Sequence, residues 1–218
     1  MTKSVTLWVV VALIIGGSIG YMYGVKKASM VVAPTNSSTS AKSVLLHSAM
    51  RKLWEDHVTW TRLYIVEATE GLKGTNDTAA RLLKNQEDIG NAIKPFYGEA
   101  AGNQLTTILK QHVMGAVDVL AAAKAGDAAK LDTAKTNWYK NGDDIATFLS
   151  GANPNSWSLQ NMKEGMAMHL DLTLTEAVDE LKDQYGKSVE DYDKVHEHIL
   201  GLADLLSDGI VAQFPDKF

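Results

Sequence analysis

The chain has 218 residues, 45% of them hydrophobic and 22% charged, and carries 26 acids against 21 bases for a net charge of −5. It contains no cysteine, which excludes disulfides, thiolate metal sites, iron–sulfur clusters and cysteine nucleophiles. No acid precedes Glu55, so beyond residue 27 the balance is 18 bases to 26 acids, or −8; phosphate binding needs a basic face, and no nucleic-acid partner is expected.

In chain order, a short tail (1–4) precedes the run VTLWVVVALIIGGSIGYMYGV, 21 uncharged residues at 5–25. At 1.5 Å per residue a helix over this run would span about 31 Å, the thickness of a bilayer core. Trp8 lies near one end and Tyr21 and Tyr23 near the other, as interfacial aromatics do. The run exceeds a typical signal-peptide core and no clean cleavage context follows it, so it reads as an uncleaved, single-pass signal anchor in a membrane. Gly16, Gly20 and Gly24 fall on one helix face, where two backbones can approach closely, and a homo-oligomer through this helix is the expectation. Residues 26–43 read as a flexible polar linker, with a composition that points to an extracytoplasmic domain.

The domain at 44–218 is rich in helix formers and contains an internal repeat. KNQEDIG (84–90), KNGDDIA (140–146) and KVHEHIL (194–200) follow helical segments that each carry one inward histidine, His57, His112 and His169. Asp88 lies 31 residues after His57, Asp144 lies 32 after His112, and His198 lies 29 after His169. Turn signals fall midway within each pair (GLKGTND, KAGDAA, DQYGKS), and longer punctuation separates the units. The fold class is therefore all-α: a transmembrane helix plus a six-helix bundle of three αα-hairpins, at about 45–98, 103–152 and 158–210.

The helical period places each histidine inside an apolar stripe: Trp54, Val58, Thr61 and Ile65 around His57; Leu109, Val113, Ala116 and Leu120 around His112; Met166, Thr173, Ala177 and Leu181 around His169. Ile89, Ile145 and Ile199 point inward from the returning helices. Residues equidistant from a hairpin turn lie level. His57, Asp88, His112, Asp144, His169 and His198 are thus expected in one layer, with His196 and Glu197 as a second tier.

Buried polar groups must be paired or ligated. A His/Asp layer satisfies that by binding a transition metal (Zn, Cu, Fe, Mn or Ni) for storage, sensing or a redox role, because imidazole and carboxylate suit those ions. The alternative is a non-catalytic interaction or scaffold domain whose His–Asp pairs only fix hairpin register. The histidine in the third copy favours ligation, since two facing imidazoles make half a metal site. Met114, Met166 and Met168 read as core fillers before thioether ligands, and Arg62 as a partner for a surface acid. No catalytic residues are expected: phosphate loops, nucleophile elbows and H-E-x-x-H motifs are all missing.

The stretches LWEDHVTWTR (53–62), RLLKNQEDIGNAIKPFYG (81–98), NGDDIATFLSGANP (141–154) and DGIVAQFPDKF (208–218) resemble an uncharacterised family of small all-helical bacterial proteins. The resemblance covers roughly residues 45–218 and implies an all-helical domain with no established activity.

Overall fold

The computed structural model describes residues 40–218. The expected anchor at 5–25, the glycine row and most of the linker lie outside the described residues. No helix among those described is long and apolar enough to cross a membrane.

Local sequence signals set each boundary. Helix α1 (Ala41–Glu70) starts behind Ser40, whose side chain accepts the amide of Ser43, and ends at Gly71 with φ 71°. Helix α2 (Thr75–Ala125) ends the same way at Gly126, φ 69°. Asp127 caps α3 (Ala128–Ala152) by accepting from the Lys130 amide, and Ser158 caps α4 (Leu159–Leu181) through the Asn161 amide. Helix α5 (Tyr185–Gln213) leads into a closing 3-10 turn at Pro215–Lys217.

The bundle is all-helical, with one departure from the expected count. Five helical elements appear among the described residues, because α2 comprises two helical arms that meet at a sharp bend within the expected break at 94–103. The bend falls at Gly98 (φ 85°, ψ 169°), a conformation that a side chain resists, three residues after Pro95, which lacks an amide to donate. The arms then meet backbone to backbone. A Cβ at Gly90 would lie 2.0 Å from Thr106 Oγ1 and 2.6 Å from the Gly102 carbonyl, and one at Gly102 would lie 2.6 Å from the Gly90 carbonyl.

The elements close into a ring in which α1 packs on α2 and α5, α2 on α3, α3 on α4 and α4 on α5, while α1 also meets α4. Ile89, Ile145 and Ile199 are at most 1% exposed, as the repeat requires. The C-terminal segment covers the bend in α2: Phe96 stacks on Phe218 at 5.7 Å, Tyr97 meets Phe214 edge-on at 5.3 Å, and Lys217 Nζ lies 5.4 Å from both the Phe96 and Phe214 rings.

Gly90→Ala should cost about 1–3 kcal/mol through overpacking, seen as a lower denaturant midpoint. Gly201→Ala, where nothing lies within 4 Å, should instead stabilise by about 0.5–1 kcal/mol. Equal midpoints for the two variants would contradict the close approach of the arms.

Candidate metal centre

The inward stripes of α1, the second arm of α2, and α4 bring His57, His112 and His169 together at the centre of the bundle. The three are 3–4% exposed. Their ring centroids are 6.3 Å (57–112), 5.8 Å (57–169) and 5.9 Å (112–169) apart. One nitrogen from each ring lies within 4.8 Å of the others. Further rings back this triangle: Trp54 stands edge-on to His57 at 5.9 Å, Trp138 stacks on His112 at 5.5 Å, and His198 stacks on His169 at 6.1 Å.

A cross-helix hydrogen bond sets the height of each histidine. Asn85 Nδ2 donates to the Leu53 carbonyl at 2.9 Å, Asn141 Nδ2 to the Ile108 carbonyl at 3.1 Å, and His198 Nε2 to the Gly165 carbonyl at 3.0 Å. Every acceptor is the residue four before a triad histidine. In the third copy valine (Val195) stands where the first two have asparagine, and the donor moves one turn on, to His198.

This geometry corrects part of the expected layer. Asp88 and Asp144 do not face the core; they pair across one helical turn with Lys84 at 2.5 Å and Lys140 at 2.7 Å on the wet face. The expected height is right and the face is wrong, because a residue adjacent to an inward isoleucine is rotated about 100° from it. His198 does reach the layer, but its Nε2 is committed to the backbone. His196 contacts Glu55 at 3.3 Å near the surface, and Glu197 is exposed. Met114 and Met168 are exposed while Met166 is core.

The amides that hold the triad were not anticipated. Gln86 Nε2 lies 3.2 Å from His57 Nδ1, and His112 Nδ1 donates to Asn141 Oδ1 at 3.1 Å. The available signal was the asparagine shared by KNQEDIG and KNGDDIA. His169 Nδ1 has no partner, nor have Gln86 Oε1, Trp54 Nε1 and Trp138 Nε1 around it. Native interiors rarely leave such atoms unpaired. Arg62 does not pair with a surface acid; it contacts Glu176 and Glu180, each at 3.2 Å and both buried, and also bonds Ser188.

Burial keeps the rings neutral. It lowers His57 to about 3, helped by nearby His112, and lowers His112 to about 4 against the opposing effect of its hydrogen bond to Asn141 Oδ1. His169 is pushed well below the ordinary value by burial and then by the three other rings, and His198 is lowered by burial. Three neutral imidazoles in a dry layer form a nitrogen donor set with no proton to displace at neutral pH.

Comparison with protein-family models, curated proteins and solved structures returned no match. The class of protein rests on its own geometry: an all-α bundle enclosing a histidine triad.

Two outcomes follow. His198→Ala should lower stability by about 1–2 kcal/mol by leaving a carbonyl without its second partner, while Asp88→Ala and Asp144→Ala should leave the denaturant midpoint unchanged within error. The metal-free chain should also be acid-labile. Unfolded histidines bind protons below about 6.5, and the folded rings refuse them down to about 3 and 4, so stability is full above 6.5 and falls as pH drops toward 4. At pH 5 each ring accounts for about 2 kcal/mol. Glu176, raised to about 7 by burial, acts in the opposite sense between about 4.5 and 7 and offsets roughly one ring. Urea titrations at pH 7 and pH 5 should show the net loss, and equal midpoints would contradict it.

Proposed function

We propose that this chain binds a transition-metal ion through His57, His112 and His169, on a helical domain tethered to a membrane by the run at 5–25, in a storage, sensing or redox role. The observation that carries the reading is the convergence of three neutral, buried imidazoles, with a ligand atom from each within 4.8 Å and His169 Nδ1 left without a partner. Around an ion with bonds of about 2.0–2.1 Å the three nitrogens would stand about 3.4 Å apart, a closure that side-chain rotation can supply. The Asn141 amide oxygen, which takes the Nδ1 proton of His112, supports it as the kind of outer partner that fixes ring orientation in metal sites. The all-nitrogen set favours copper, zinc, iron or nickel over manganese, which prefers oxygen. With no carboxylate among the donors, the lower charge of copper(I) is the least costly to bury.

Elemental analysis of the full-length chain, purified without chelators and then challenged with each ion, tests this. One metal per chain is expected, with loss in His112→Ala and in His57→Ala and retention in Asp88→Ala/Asp144→Ala. No metal above background, or full retention in the histidine variants, sinks the proposal and leaves the triad a packing layer.

A further inference from the structure

Each triad histidine is followed four residues later, on the same inward stripe, by a small residue: Thr61, Ala116 and Thr173. The Thr61 and Thr173 hydroxyls both donate back to the carbonyl of their histidine, at 2.7 and 2.9 Å, so neither offers a free proton inward. Small side chains at the same level of three packed helices leave space. A cavity of about 50 Å³ opens there, walled by the three histidines at one end and by these small residues, with Leu120, Ala177 and Leu181 farther on. The one cavity is built from the same repeat position of all three units, a small residue four after each histidine.

Resting on the metal reading above, we propose that the triad presents an open coordination position to this cavity, and that the cavity delivers to it a small uncharged ligand of a few heavy atoms, of the diatomic-gas class. Three protein ligands leave a fourth position free, the arrangement of reactive rather than structural sites. The volume exceeds the roughly 10–15 Å³ needed for one water and falls well short of the roughly 150 Å³ that admits benzene. The walls beyond the histidines are almost wholly apolar, aliphatic side chains with Tyr64 and Trp138, which favours a gas molecule over a hydrated anion, whose transfer there would cost its hydration. Binding is reversible coordination with no bond broken in the ligand.

Two probes separate this proposal from the metal reading. Xenon, followed by 129Xe NMR on the metal-free full-length chain, tests the cavity alone: a saturable shift is expected, lost in Ala177→Phe and strengthened in Leu120→Ala, a gain that misfolding cannot mimic. Carbon monoxide added to the copper(I)-loaded chain tests the open position. An infrared C–O band is expected in the wild type and should vanish in Ala177→Phe while copper stays bound. A copper-loaded chain without the band, or a band indifferent to Ala177→Phe, overturns the proposal and leaves metal binding standing. Absence of a saturable xenon shift in the metal-free chain also overturns it. Failure to take up any metal instead overturns the metal reading, and the coordinated ligand with it.

Discussion

The bundle depends on the hydrogen bond that each returning helix sends to the carbonyl four residues before a core histidine. That carbonyl already accepts the histidine's own amide within the helix, so the cross-helix donor takes its second lone pair. Such a bond tolerates little sliding: a slip of one helical turn, about 5.4 Å, would carry Asn85, Asn141 or His198 past its acceptor and leave buried polar groups unpaired. Register is therefore fixed at the level of the triad in all three units. Three imidazoles arrive at one height as a consequence of backbone satisfaction, before any contact between the rings is considered.

The third unit shows how the device was altered without being lost. Val195 replaces asparagine and is 2% exposed, so the core gains an apolar side chain where the other units spend an amide. His198 supplies the missing donor from the margin of the same helix, and its ring doubles as a stacking surface for His169. The hairpin of α4 and α5 is tied down a second time by Arg62, which reaches from α1 to Glu176 and Glu180 on α4 and to Ser188 on α5. Breaking such a network is costly, because a lone buried charge would remain. The charges stay out of the triangle itself, whose rings are kept neutral by burial.

Most of the architecture was legible in the sequence because the repeat writes it three times. The turn signals, the inward stripes and the isoleucines after 88, 144 and 198 all follow from helical period, and each side chain falls where the period puts it. The tightness of the bend at Gly98 was not legible, since a glycine-and-proline stretch reads equally as a loop or as a bend between packed arms. The site was half legible. The histidines and their common height came from spacing, but the partner was assigned to the conspicuous acid and not to the plain asparagine three residues earlier. Charge drew the eye to a residue whose lysine, one turn away, already accounted for it. A repeated uncharged amide is the better marker of a buried bond, because burying it costs less.

The repeat makes the triad look threefold, yet the amides make its rings chemically unlike. His112 donates from Nδ1 to a carbonyl oxygen that cannot donate back, which fixes its tautomer and leaves Nε2 as a lone pair. His57 faces an amide nitrogen, which asks its Nδ1 to accept. His169 has no bond at Nδ1 and is held mainly by stacking against His112 and His198. A ligand entering the triangle thus meets one ring that is ready, one that must exchange its proton between nitrogens, and one whose Nδ1 carries no bond. The energetic cost of closing the triangle falls on the last two. His169, the ring with the fewest ties, is where occupancy of the centre would be felt first, and it sits on the same helix as Glu176 and Glu180. The Arg62 network joins that helix to α1 and α5.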